Sequence, residues 1–247
     1  MYKEYEQQIC KIIQKIMDEH KQITSIFIHE LRNPLSLIKG TLQYIEMKHC
    51  EVKDYKYWSQ IFELIHDMEH MLSDASLLNS STNLNIEKTN LLSLINVVVE
   101  NYMPEADKQK KTLKYKYDKE CESVLSSYPC DAYKLKQTLT NLVKNALEAT
   151  SEGDFIEILV SIESIDNDSM LSIQINNNGP KIPEDEINNI FLPFVTHKTG
   201  GTGIGLVLAK RIINAHMGCI KVSSCDDLTR FTILLPLPEN QCKLHQA

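Results

Sequence analysis

Over the first fifty positions the apolar residues return at helical spacing. Ile9, Ile12, Ile13, Ile16, Ile23, Ile26 and Phe27 are followed by Leu31, Leu35, Ile38, Leu42 and Ile45. Ile9, Ile16 and Ile23 recur every seven residues, the period of a helix packed along a supercoiled partner. No helix breaker occurs before Pro34, so the pattern predicts a single long helix from about Tyr5 to Lys48, bent at Pro34. The polar segment His49–Asp54 offers a turn. A second helix is predicted from Tyr55 to Leu78, with Trp58, Ile61, Phe62, Ile65, Met68, Leu72 and Ala75 on one stripe. A lone hairpin has one apolar seam and little to bury it on. Pairing of two copies into a four-helix bundle completes it.

The polar break Asn79–Asn83 marks the expected domain boundary, with residues 1–82 in the hairpin and 83–247 in a second domain. Beyond it a helix is predicted from Asn90 to Tyr102, closed by Pro104. Leu113–Tyr117 alternates as a strand, and Ser123–Leu125 reads as a second short one. Asp131 is placed to cap a helix through Leu135, Leu139, Leu142, Val143 and Leu147. Strands are expected at Phe155–Ile162 and Leu171–Ile175, joined through Asp166–Ser169. A helix over Gly203–His216 and strands at Cys219–Val222 and Arg230–Leu235 follow. The predicted fold class is an all-α dimerisation hairpin followed by an α/β sandwich, with helices on one face of a mixed sheet.

Composition narrows the partners. With 26 basic against 33 acidic residues and a net charge of −7, and no basic run interleaved with aromatics, nucleic acid is excluded as a partner. The seven cysteines are scattered and never form a Cys-x-x-Cys pair, which argues against zinc and disulfides and for the cytoplasm. No stretch reaches the roughly 18 uninterrupted apolar residues of a membrane helix. The first residues do not read as a signal peptide. No sensor fold fits ahead of His29, so a stimulus is expected through a separate sensor protein or a segment outside this sequence.

The candidate chemistry lies in four stretches. In His29-Glu30-Leu31-Arg32-Asn33-Pro34, an imidazole stands beside a carboxylate, with Asn33 one turn along the same face. Alone, this is better read as an amphipathic helix with an exposed histidine and a kink. Asn141 and Asn145, one turn apart with Lys144 beside them, offer amide oxygens and an ammonium suited to magnesium and phosphate; an exposed polar helix face is the bland alternative. Asn177-Asn178-Gly179-Pro180 is first of all a turn signal. Gly200-Gly201-Thr202-Gly203-Ile204-Gly205-Leu206 opens an apolar helix, where exposed backbone amides stabilise polyphosphate. It lacks the Gly-Lys-Ser/Thr ending of the P-loop and the leading strand of a dinucleotide fingerprint. His66 and His70 are four apart but have no third ligand for a metal, and read as a solvated helix face.

Together these stretches resemble the motifs of two-component sensor histidine kinases. His29–Pro34 looks like the H box, Asn141–Ala146 the N box, Asn177–Pro183 the G1 box, Phe191–Phe194 the F box and Gly201–Leu206 the G2 box, in the family's order. The resemblance implies a dimeric hairpin carrying the histidine, then an ATP-binding sandwich of the type shared with gyrase and Hsp90-like ATPases. It implies that His29 accepts the γ-phosphoryl group of Mg-ATP with Glu30 polarising it. Asn145 would ligate Mg2+, and Asn141, Lys144 and Lys198 would contact phosphate. Asn177 and Gly179 would lie at the base. Gly201, Thr202, Gly203, Ile204, Gly205 and Leu206 would line the phosphates, under a lid carrying Phe191 and Phe194. The phosphate would pass to an aspartate in the receiver domain of a response regulator, with Asn33 serving dephosphorylation.

Two positions depart from the family pattern. Asn177 stands where the family has Asp, which removes the charge-assisted part of a bond to the adenine amino group, on the order of 1 kcal/mol. Lys181 replaces a glycine, so a left-handed backbone there would cost about 1–2 kcal/mol and the lid is expected to begin with a different turn. The alternative function is a non-catalytic dimeric scaffold, phosphotransfer or phosphatase module that holds a regulator without kinase activity. A clamp ATPase of the gyrase or Hsp90 type has Asn141 against it, because such enzymes use a carboxylate there.

Overall fold

In the computed structural model the described residues are 2–165, 168–196 and 202–238; side chains are described from Ile9 onward, except those of Cys10 and Gln14. The chain separates into two compact units, one built on the first eighty residues and one beginning at Ser81.

The first unit is a helical hairpin. Helix α1 (Tyr2–Lys48) runs through Pro34, a 3-10 turn spans Cys50–Asp54, and α2 (Trp58–Ser80) returns. The sequence placed the start of α2 at Tyr55. The Tyr55 amide instead bonds the Val52 carbonyl, which closes the turn and delays the helix to Trp58. Among the described side chains of the hairpin, Ile28, Leu35 and Ile65 are buried. Polar pairs fix the register of the two helices: Lys39 Nζ lies 2.7 Å from a Glu69 oxygen, Trp58 Nε1 donates to Glu46 at 3.0 Å, and Asn79 Nδ2 donates to the Lys21 carbonyl at 2.8 Å. Ile9, Ile16 and Ile23 are 55%, 58% and 62% exposed, so the heptad series is spent on no surface of this unit.

The second unit is an α/β sandwich. Strand β1 (Glu87–Thr89) leads into α3 (Leu91–Lys108), whose first turn is capped by Asn90 accepting from the Ser93 amide at 3.0 Å. The sequence ended this helix at Pro104. It continues because Pro104 sits on the exposed side, where water can satisfy the carbonyl it leaves unbonded, while Ala106 is fully buried. Then come β2 (Thr112–Tyr117), a short turn of helix α4 (Glu122–Leu125) and β3 (Tyr128–Cys130). The strand expected at Ser123–Leu125 is therefore helical: the Ser126 amide bonds back to the Glu122 carbonyl at 3.0 Å, closing one α-helical turn that buries Leu125. Helix α5 (Ala132–Ala149), strands β4 (Phe155–Ile165) and β5 (Asp168–Asn177), the turn α6 (Glu184–Ile187), helix α7 (Gly205–Ala215) and strands β6 (Cys219–Cys225) and β7 (Leu228–Pro236) complete it.

The main sheet has the order β2-β4-β5-β7-β6, with β2 parallel to β4 and every other pair antiparallel. β1 and β3 form a separate two-stranded ladder. Both central strands outrun their apolar cores. The pairs Ser164↔Ser169 and Ile165↔Asp168 extend the ladder past the predicted end of β4 at Ile162, through Asp168 and Ser169, which the sequence assigned to the connection. Ile156, Ile158, Leu171, Ile173, Ile175, Phe231 and Ile233 face the layer of α3, α5 and α7, whose Val98, Leu139, Leu142, Leu208 and Ile212 are buried against them.

A buried histidine closes this layer. His216, just past α7, accepts through Nε2 from the Asp131 amide at 3.0 Å and donates through Nδ1 to the Ile212 carbonyl at 2.8 Å. Burial pushes its pKa down, against smaller opposing effects of the Ile212 carbonyl and Asp131. The folded unit therefore holds the imidazole neutral, while the unfolded chain binds a proton below about pH 6.5. Stability is fully present above that value and falls as pH drops through it towards the lowered folded pKa. Thermal melts of the second unit between pH 7.5 and 5 are expected to show this loss, and the slope is expected to flatten in His216→Gln.

Candidate functional site

The hairpin presents its histidine rather than burying it. His29, Glu30 and Asn33 are all exposed, with buried Ile28 before them and buried Leu35 after. The helical repeat puts His29 and Asn33 on one face and Glu30 about 100° round from the histidine.

In the second unit the N-box positions lie on the rim of α5. Leu142, Val143, Ala146 and Leu147 are buried, which leaves Asn141 and Asn145 half-buried between core and solvent. Asp131 fixes the start of this helix by accepting from the Lys134 amide at 3.0 Å and the Asn85 amide at 2.9 Å. Asn141 Nδ2 donates to the Gly205 carbonyl at 3.2 Å, which ties the helix to the first residue of α7. Lys144 is exposed, 3.7 Å from Glu148.

The far end of α5 meets the end of β5. A Cβ at Gly179 would lie 2.4 Å from the Ala149 carbonyl oxygen and 2.9 Å from Asn177 Nδ2, so only glycine lets the turn approach so closely. Asn177 is 2% exposed, and its Nδ2 has no hydrogen-bond partner among the described residues. Lys181 is not left-handed: among the described residues the non-glycine positions with positive φ are Lys110, Phe194 and Met217. The turn after Gly179 is thus built without the strain a lysine would suffer there, and Lys181 reaches towards Glu184 and Asp226 instead, at 3.9 and 3.8 Å.

The third element is the glycine turn before α7. Gly203 adopts φ +66°, and a Cβ there would lie 2.7 Å from the Phe194 carbonyl carbon and the Val195 nitrogen. Thr202, Gly205 and Leu206 are half-buried and Ile204 is buried. Of the aromatic positions, Phe191 packs edge-on against Phe231 at 6.5 Å under the Lys210 ammonium, 5.0 Å from its ring. Phe194 is left-handed and 69% exposed. Lys198 and Gly201 lie outside the described residues.

Asn141, Gly205, Gly179 and Asn177 therefore converge along one helix, with bare backbone at two turns. Sequence reasoning missed Asn178 and Asp154, which build the turn. Asn178 Oδ1 accepts from the Phe155 amide at 2.7 Å and its Nδ2 donates to Asp154 at 3.0 Å. The Ser-Glu-Gly-Asp turn ahead of β4 was their one local signal.

Residues 130–239 match the family described as histidine kinase-, DNA gyrase B- and HSP90-like ATPase. The catalytic domain of the histidine kinase ThkA is 31% identical with a TM-score of 0.55, over 62% of this chain and 96% of that one. The chain belongs to the two-component histidine kinase family. Sporulation kinase D of Bacillus subtilis and the signal transduction histidine-protein kinase AtoS of Escherichia coli are each 31% identical over 85% of this chain. The match spans 40% and 33% of the length of these two relatives. The histidine kinase ShkA, at 22% identity and TM-score 0.69 over 87% of this chain, shares the fold. Within this family the chain carries both an exposed histidine on a helical hairpin and the ATPase sandwich. No helix among the described residues is long and apolar enough to cross a membrane.

Proposed function

We propose that this chain is an ATP-dependent protein-histidine kinase that phosphorylates His29 and passes the phosphate to an aspartate in the receiver domain of a response regulator. The observation that carries this reading is the convergence of Asn141, Gly205, Gly179 and Asn177 along α5, in a chain that also exposes a histidine beside a carboxylate. The residues present fit a nucleotide. A buried amide group lacks a partner at one end of α5, and bare backbone stands at both turns.

In this reading Asn177 and Gly179 meet the base, and Asn141, Lys144 and the amides of Gly203–Leu206 hold the phosphates at the start of α7. Asn145 holds Mg2+, whose charge offsets that of the polyphosphate. Glu30 takes the imidazole proton and orients the attacking nitrogen. A phosphorus–nitrogen bond forms as the bond to the ADP oxygen breaks, and ADP leaves with the electron pair. Asn33, one turn from His29, positions water for the reverse reaction on the regulator. The exposed Ile9, Ile16 and Ile23 series supports a homodimer, and Ile12, Ile13 and Ile26, also more than half exposed, widen the same surface. Cys50, Cys121, Cys130, Cys219 and Cys225 are free thiols, in keeping with a reducing cytoplasm.

The test is incubation of the purified chain with Mg2+ and γ-labelled ATP. The label is expected on protein, lost in acid and stable in alkali. Nucleotide binding without labelling would make the chain a scaffold or phosphatase module instead.

A further inference from the structure

Three consecutive asparagines end β5, and their side chains are not equivalent. Asn176 Oδ1 accepts from Arg230 Nε at 2.9 Å. Asn178 is held at both ends of its amide, by the Phe155 amide and by Asp154. Asn177, between them, is as deeply buried as Asn176, yet its Nδ2 has no partner among the described residues. Leaving a buried amide donor unsatisfied is costly, and nearly all such groups in folded proteins are paired. A side chain kept in this state at the mouth of the turn is completed by something that the protein chain does not supply. Gly179 keeps the space beside it clear, since a Cβ there would stand 2.9 Å from that same nitrogen.

We propose that Asn177 relaxes the purine selectivity of the nucleotide site, so that the chain binds and uses GTP as well as ATP. The inference rests on the nucleotide reading above. A carboxylate at this position only accepts, so it demands a donor on the purine C6 and is opposed by an oxygen there. A primary amide carries both functions and exchanges them by a half-turn about its last bond, at no change in shape. In one orientation Oδ1 accepts from the adenine amino group while Nδ2 donates to N1. In the other, Nδ2 donates to the guanine O6 while Oδ1 accepts from the N1 hydrogen. With no internal bond holding Nδ2, no pairing inside the protein has to break for the amide to turn.

The experiment is competition of unlabelled ATP and GTP against γ-labelled ATP in His29 labelling by the full chain, repeated with γ-labelled GTP. For the natural chain the inhibition constants for ATP and GTP are expected to lie within about tenfold of each other, and label from GTP to reach His29. In Asn177→Asp, preference for ATP is expected to rise by about tenfold or more, the scale of one correctly matched base contact. If ATP labels the chain but GTP neither competes nor labels, the selectivity inference is wrong while the kinase reading stands. If neither nucleotide competes or labels, both are wrong. An unchanged ratio in Asn177→Asp also overturns the assignment to this residue.

Discussion

Substituting His29 by glutamine is expected to abolish acid-labile labelling from ATP, while His66→Gln labels as the natural chain does. Both histidines are exposed on helices of the same hairpin, so exposure does not distinguish them. The distinction is the neighbourhood. His29 has Glu30 next to it and Asn33 one turn on, whereas the ring of His66 lies 4.4 Å from that of His70, centroid to centroid. Glutamine keeps polarity and helix propensity but has no ring nitrogen to phosphorylate, and the position is solvated, so the fold should be indifferent. Circular dichroism and thermal melts of His29→Gln are expected to match the natural chain, with labelling reduced at least ~1000-fold, as for loss of an essential nucleophile. Persistent label in His29→Gln would move the acceptor elsewhere.

The second large effect is expected at Gly203. An alanine there must hold a left-handed backbone, which costs about 1–2 kcal/mol. Its Cβ would also stand 2.7 Å from backbone atoms of Phe194 and Val195, and backbone cannot swing aside as a side-chain tip can. One of the two segments has to move, and Gly203 is part of the proposed phosphate-holding turn. Nucleotide affinity is expected to fall by about tenfold or more, on the conversion of 1.4 kcal/mol per decade. Gly153→Ala is the control. Its φ of +91° imposes backbone strain too, but nothing lies within 4 Å of the added carbon. It should lower the melting temperature and leave nucleotide affinity in place. Titration with a fluorescent nucleotide separates the two, and undiminished binding by Gly203→Ala would remove that glycine from the site.

Long periodic segments were legible in the sequence because each carries its apolar residues on one face, buried in the second unit and largely exposed along α1. The two hairpin helices, α5, α7 and the centres of β4, β5 and β7 all follow from spacing alone. What escaped was decided by contacts distant in sequence. β1 and β3 are three residues each with no apolar alternation of their own, and exist because Glu87–Thr89 pairs with Tyr128–Cys130. Pro104 reads as a stop, but the burial of Ala106 beyond it holds the helix on course. The short run Ser123–Leu125 gives no period long enough to tell strand from helix. At the site, residue types in order suggested the chemistry. No local pattern distinguishes Asn177 from its two pinned neighbours, because that difference lies in Phe155, Asp154 and Arg230.

The pair of helices flanking the glycine turn has a mechanical consequence. Asp131 and Asn141 are ten positions apart on α5, about 15 Å of helix rise; His216 and Gly205 are eleven apart along α7, about 16.5 Å. Asp131 is bonded to His216 and Asn141 to Gly205, so α7 runs antiparallel to the first part of α5 and is bolted to it at both of its own ends. Sliding or rolling one helix along the other would break a bolt. The start of α7 is therefore held in place by α5 and not by the chain ahead of it alone. The change of backbone direction at Gly203, with φ +66°, lies two residues outside this frame.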